Sequence, residues 1–260
     1  MIPWRLIDTG LSNGRRNMAV DQALLSCFNP DCSRPVLRLY GWVPPAISLG
    51  RFQAPGEVLD LARCAAAGVP VVRRITGGGA IYHTEELTYA LVCASHHLPG
   101  AASVKESYRL LTRFLLRFYA LLGLDACYAM DLFPAGTRLG ERTPFCFAGK
   151  EQYDIMIDGR KVGGNAQRRL KGVIFQHGSI PLANRAAFGA TFLREPPAGV
   201  DEIAASLQDF GVRHSRGVLT RLMVEAFMET VPATGLETSL TAEEETVATT
   251  LAGDRQELTV

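Results

Sequence analysis

The stretch from Tyr153 through Arg160 constrains the fold more than any other part of the chain. Tyr153 to Ile157 is a short β-prone run, Asp158-Gly159 follows, and a second extended run begins at Arg160. An Asp-Gly pair between two such runs suits a two-residue type I′ turn, whose central residues both take positive φ. A two-residue turn also fixes register, so Lys161 must face Met156 across the hairpin. A lysine just past such a turn is aimed by a rigid element.

The remaining pattern mixes strands and helices. Arg16 to Phe28 reads as a helix with one largely apolar side, and Val36 to Tyr40 and Ala46 to Leu49 read as strands separated by Pro44-Pro45. Val69 to Ile75 is a β-branched run that ends in Thr76-Gly77-Gly78-Gly79, and Leu87 to Cys93 and Gly172 to Leu182 read as further strands. Ser103 and Glu106 form a capping box that opens a long helix, with Gly123 as its terminator. The last 60 residues read as helical, with a second capping box at Thr241 and Glu244 and a stop at Gly253. The expected class is α+β: a mixed, mostly antiparallel β-sheet flanked by helices. Residues 1–200 form one domain, and 201–260 a helical C-terminal extension packed on it.

Charge and cysteine usage narrow the function classes. A formal net charge of +1 gives no global pull toward nucleic acid or membrane. No apolar run is long enough to span a bilayer, and the opening Met1-Ile2-Pro3-Trp4-Arg5 lacks the blocks of a signal peptide. The expected compartment is the cytoplasm, where the six cysteines are reduced. No C-x-x-C pair occurs, so no metal site is expected. Nothing in the chain demands more than a monomer.

Four segments carry chemistry. In Arg73-Arg74-Ile75-Thr76-Gly77-Gly78-Gly79-Ala80-Ile81-Tyr82-His83, consecutive glycines expose backbone N–H groups to a ligand, and an adjacent arginine can pair with phosphate. The same glycines also suit a plain tight turn. The candidate contacts here are Arg74, Gly77, Gly78, Gly79, Ala80 and His83. Beyond Lys161, the small residues Gly163, Gly164 and Ala166 imply something packed close to the backbone, and Asn165 lies among them. Cys146 sits in Pro144-Phe145-Cys146-Phe147-Ala148-Gly149-Lys150, a loop setting where cysteine is less often simple core; the other five cysteines read as inert. Gln176-His177-Gly178-Ser179-Ile180 adds His177 and Gly178, although a strand histidine is more often structural than catalytic.

At these segments the chain resembles the biotin/lipoate A/B protein ligase family, most closely the octanoyltransferases of the LipM type. The likeness begins at Trp4-Arg5-Leu6-Ile7-Asp8-Thr9-Gly10 and includes Asn17-Met18-Ala19-Val20-Asp21-Gln22-Ala23-Leu24, Arg38-Leu39-Tyr40-Gly41-Trp42 and Ser48-Leu49-Gly50-Arg51-Phe52-Gln53. It continues through the glycine-rich segment, Glu86-Leu87-Thr88-Tyr89, Gly159-Arg160-Lys161-Val162 and Gln176-His177-Gly178-Ser179-Ile180. It implies a class II biotin/lipoyl synthetase-like fold, with a catalytic domain over 1–200. It also implies Cys146 as an acyl-accepting nucleophile and Lys161, fifteen positions later, as the residue that lowers its pKa. The glycine loop reads closer to the ligase form, whereas Glu86-Leu87-Thr88-Tyr89 resembles the transferases.

The activity so implied is transfer of an octanoyl group from acyl carrier protein, through a Cys146 thioester, to a lysine of a lipoyl carrier domain. The acceptor would be the glycine-cleavage H protein or a 2-oxoacid dehydrogenase E2. No cofactor is needed; ATP and Mg²⁺ belong only to the alternative of a lipoate–protein ligase. Two other readings are an amidotransferase between lipoyl domains, which would also use Cys146, and a non-catalytic binding module, which would need no nucleophile. Backbone N–H groups near Gly77 to Ala80 or the Lys161 segment are the candidate oxyanion donors. Cys146 lies ten residues before Met156, up to roughly 33 Å if extended. The Cys146 loop must therefore fold back over the hairpin.

Overall fold

The structure is a computed structural model that describes residues 2–101, 103–134, 137, 139–140 and 143–254. The N-terminal half runs β1 (Ile2–Ser12), α1 (Gly14–Ser26), β2 (Val36–Trp42), β3 (Ala46–Leu49), α2 (Pro55–Val58), α3 (Leu61–Ala66), β4 (Val71–Arg73), β5 (Ile81–His83) and β6 (Glu86–Ala94). Then follow α4 (Val104–Leu121), β7 (Cys127–Tyr128), β8 (Ile155–Ile157), β9 (Arg160–Leu170), β10 (Val173–Pro181), α5 (Ala186–Ala190), α6 (Val200–Ile203), α7 (Arg216–Thr230), β11 (Ala233–Glu237) and α8 (Ala242–Asp254).

Eight strands form one sheet in the order β11-β1-β2-β6-β10-β9-β8-β7, and β4-β3-β5 form a small second sheet. In the large sheet, β1 pairs in parallel with β11 and β2, and every other pairing is antiparallel. The class is thus α+β with a mostly antiparallel sheet. One face carries Leu39, Leu87, Tyr89 and Leu91 against Phe114, Phe118 and Phe227 from α4 and α7. The other carries Tyr40, Trp42, Ala90, Val92 and Phe175 against Met18 and Leu24 of α1 and Ala248 of α8. A third cluster joins Ile47, Leu49 and Val71 to Phe145, Phe147 and Phe192, and it anchors the Cys146 loop.

Local signals explain most boundaries. Asn13 caps α1 by accepting from the Arg16 N–H, so the helix starts two residues before Arg16. Ser103 accepts from the Glu106 N–H, and Gly123 follows α4 at φ +77°. At the hairpin, Asp158 and Gly159 take φ 49° and 75°, and Lys161 faces Met156. The C-terminal sixty residues depart from a purely helical reading. β11 interrupts them and adds a parallel edge strand to β1, because α7 delivers the chain beside Ile2. Gly253 does not stop the last helix: α8 runs through it to Asp254. No helix of the described residues is long and apolar enough to cross a membrane.

A buried polar network sits behind the sheet. Arg38 donates to Asp21 at 2.5 Å and to Asn17, with its guanidinium 3.8 Å from the Tyr40 ring centroid. Tyr40 donates to the other Asp21 oxygen at 2.9 Å. Each charge is paired and both Asp21 oxygens accept a hydrogen bond, which a buried ion pair requires.

Candidate active site

Lys161 is 1% exposed, yet it carries its charge inside the protein. Its Nζ lies 2.6 Å from Asp154 Oδ2, 2.8 Å from Cys146 O, 3.0 Å from Gly149 O and 4.0 Å from Cys146 Sγ. An ammonium has three donors, and three oxygens take them. The sulfur is therefore a Coulomb neighbour at the fourth position. Burial works against the Lys161 charge, but the Asp154 carboxylate, with the Cys146 sulfur next, raises its pKa above the usual lysine value. The side chain is an ammonium at neutral pH.

Asp154 is the functional residue that sequence reasoning missed. Its side chain is 2% exposed and also accepts from the Glu151 N–H at 2.7 Å. A signal did exist. A lone carboxylate inside the Tyr153–Ile157 run must, if buried, be paired with a cation.

The Cys146 loop folds back over the hairpin, held by backbone and by ring packing. Ala80 N–H donates to Pro144 O at 2.7 Å, and Cys146 N–H donates to Ala80 O at 3.0 Å. Phe145 and Phe147 are buried on either side of the half-buried Cys146. Gly79 makes the approach possible: a Cβ there would lie 2.7 Å from Thr143 O and 2.8 Å from Cys146 N. Gly79→Ala is therefore expected to keep the fold but to displace the Cys146 loop. Alkylation of Cys146 should slow by about tenfold or more, read by intact mass against time; an unchanged rate refutes the steric account.

Arg74 has a different role from phosphate pairing. Its guanidinium donates to Gly77 O at 3.2 and 2.8 Å, to Gly79 O at 2.7 Å, and to Ser48 O and Oγ at 3.0 and 3.1 Å. All five donors are spent shaping the glycine loop. Burial pulls its pKa down to about 10, which leaves it charged at neutral pH. The Ala80 and Cys146 N–H groups are also spent and cannot serve as oxyanion donors. Those of Gly77, Gly78 and Gly79 have no backbone partner among the described residues.

The glycines after Lys161 line the same place. A Cβ at Gly164 would sit 3.3 Å from Cys146 Sγ and 3.3 Å from Lys161 Cε, and one at Gly163 would sit 3.2 Å from Ser179 O. Asn165 also lines the cavity, with its side chain held by accepting from Tyr89 at 2.5 Å and donating to Tyr153 O at 3.1 Å. Gly178 has no room for a side chain, since its Cβ would be 2.4 Å from Asn165 Oδ1.

Both candidate histidines have each ring nitrogen engaged. His83 meets Ser48 Oγ at 2.7 Å and Glu86 Oε1 at 2.9 Å, and it stacks on Trp42 at 3.8 Å between centroids. His177 meets Thr76 Oγ1 at 2.6 Å and Asp21 Oδ2 at 3.5 Å. Burial pulls the His177 pKa down, against the pull of Asp21, so the neutral ring is favoured. Both rings hold the walls of a cavity of about 1010 Å³, which Cys146, Lys161, Gly164 and Ala166 also line. Met18, Tyr40, Trp42 and Ile81 supply its apolar part. No cluster of metal-ligating side chains occurs among the described residues.

Known proteins are similar to this chain in sequence and fold. The lipoyl protein ligase A/B catalytic domain matches residues 13–232. An octanoyltransferase LipM of Kyrpidia tusciae is 37% identical over 258 residues, 95% of this chain and 94% of that protein. An octanoyltransferase LipM of Bacillus subtilis is 39% identical over 184 residues, 69% of this chain but just under two thirds (65%) of the Bacillus protein. Among solved structures, a lipoate-protein ligase A bound with ATP superposes with a TM-score of 0.81 at 25% identity, covering 98% of this chain and 96% of that one. A bipartite lipoate protein ligase from Thermoplasma acidophilum shares the fold, with a TM-score of 0.79 at 24% identity over 98% of this chain and 94% of that one.

Proposed function

The chain belongs to the lipoyl protein ligase A/B catalytic domain family, and from that premise we propose that it is an octanoyltransferase of lipoate biosynthesis acting through Cys146. The observation that carries the reading is the Cys146 sulfur 4.0 Å from the Lys161 ammonium at the wall of a half-apolar cavity. The ammonium beside the sulfur offsets the negative charge that the sulfur carries when it attacks an acyl carbon and when it leaves one. The relatives named octanoyltransferase LipM support the acyl group and the pathway.

The cycle has two halves. The Cys146 thiolate adds to the carbonyl carbon of octanoyl acyl carrier protein. The carrier's sulfur leaves as a thiolate and takes a proton from water. One thioester replaces another, so little free energy changes. A neutral lysine amine of a lipoyl carrier domain then adds to the same carbon, the Cys146 thiolate leaves, and the nitrogen gives its proton to solvent, balancing the one the carrier's sulfur took. The amide is the more stable product, so the cycle needs no ATP. The acceptor is a lipoyl domain of the glycine-cleavage H protein or a 2-oxoacid dehydrogenase E2. Met18, Tyr40 and Trp42 form the apolar wall that receives the chain. On this reading the protein acts as a cytoplasmic monomer, with Cys146 and Lys161 supplied by the same chain.

The test is direct. Incubated with octanoyl acyl carrier protein and no ATP, the protein should gain the mass of one octanoyl group and pass it to a lipoyl domain. Absence of the adduct, together with ATP-dependent lipoylation of that domain, would sink the reading in favour of a ligase.

A further inference from the structure

We propose that Ser179 is a further catalytic residue, donating a hydrogen bond from Oγ to the acyl carbonyl that Cys146 carries; the inference rests on the thioester reading above. Ser179 lies on β10 and is 4% exposed. Its Oγ is buried with no hydrogen-bond partner among the described residues. The other hydroxyls on this wall are all paired. Ser48 meets His83 and Arg74, Thr76 meets His177, and Thr88 bridges Trp42 and Glu86. A buried hydroxyl without a partner is costly, so an isolated one on a cavity wall points to a ligand.

The sheet register says which ligand atom it meets. Ser179 is directly opposite Thr88 on one side and Gly164 on the other. Opposed residues project from the same face with Cβ atoms roughly 5 Å apart. A Cβ at Gly164 would be 3.3 Å from Cys146 Sγ. Ser179 therefore shares the wall that faces the sulfur, and the missing side chain of Gly164 leaves the way open. A carbonyl carbon bonded to Sγ places its oxygen in that opening. The backbone N–H groups of Ala80 and Cys146 are already spent, which leaves the side-chain hydroxyl and the glycine-loop N–H groups as donors.

The donor acts on charge and transfers no proton. When the Cys146 thiolate adds to the carbonyl carbon, the π pair moves onto oxygen and the Ser179 O–H points at it. Collapse restores the carbonyl and expels the carrier thiolate. The same contact forms when the acceptor amine adds and Cys146 leaves.

Ser179→Ala and Ser179→Thr test this, using octanoyl donors labelled with ¹³C at the carbonyl. Ser179→Ala should lower kcat by about 10²-fold with KM for the donor unchanged. The infrared carbonyl band of its acyl-enzyme should move to higher frequency. Ser179→Thr should restore both. An unmoved band refutes the proposal, whether kcat is unchanged or falls together with a rise in KM; the latter marks a structural role. If the wild-type protein forms no acyl-enzyme, the thioester reading itself has failed, and this inference with it.

Discussion

Cys146→Ala is expected to reduce ATP-independent octanoyl transfer by about 10³-fold or more, while leaving the folded state nearly intact. The two halves of the effect have separate causes. Removing the sulfur removes the atom on which the acyl group rests between donor and acceptor. The remaining route needs the acceptor amine to attack the donor thioester directly, with both partners on the enzyme at once. The stability effect is small because the loop does not depend on the sulfur. Phe145, Phe147 and the backbone bonds to Ala80 hold it, and the Lys161 ammonium donates to the Cys146 carbonyl. Cys146→Ser keeps the shape but offers a much poorer nucleophile, so it should be nearly as inactive and form no stable adduct. The checks are steady-state transfer to a lipoyl domain and intact mass after exposure to the donor. Activity within tenfold of wild type in either variant would end the covalent route.

Which parts of this site could be read from the sequence follows a physical division. The hairpin was legible because Asp158-Gly159 dictates its own backbone, and a two-residue turn then sets Lys161 against Met156. The N-cap at Ser103 and the full capping box at Thr241 were legible for the same local reason, although Glu106 does not return a bond to the Ser103 N–H among the described residues. The meeting of Cys146 with Lys161 came from a chain-long resemblance, since no local rule brings a loop back over a strand. Three features depend on contacts distant in sequence and left little trace. β11 is a strand because β1 offers it an open edge. Arg74 looks like a phosphate ligand until Gly77, Gly79 and Ser48 claim its donors. Asp154 needed its partner to be known before its burial made sense. Gly253 misled because glycine stops a helix only where the chain must turn, and α8 continues through it.

Lys161→Met should produce the second large effect, on stability and reactivity together. It removes the ammonium but leaves the Asp154 carboxylate, 2% exposed, with the Glu151 N–H alone. Breaking one partner out of a buried ion pair costs about 3–5 kcal/mol, or on the order of 10 °C in Tm for a chain of this size. The pH dependence has a defined sign. Burial raises the Asp154 pKa, and the variant lacks the ammonium that opposes it. The native variant then binds a proton more readily than the unfolded chain does. Its stability therefore falls as pH rises above the ordinary carboxylate range and recovers as pH drops toward that range. In the wild type, Lys161 acts with the same sign but in a different window, at the alkaline end. Because the folded Lys161 pKa is raised, the contribution from Lys161 ionisation is whole below pH ~10.4 and fades only above it. Adding Asp154→Leu to Lys161→Met should return most of the lost Tm, because no unpaired charge remains. It should not return the alkylation rate of Cys146 near neutral pH, nor octanoyl transfer, because the cation beside the sulfur is still missing. Recovery of both by the double variant would mean that Cys146 needs neither the charge of Lys161 nor its hydrogen bonds to the Cys146 and Gly149 carbonyls.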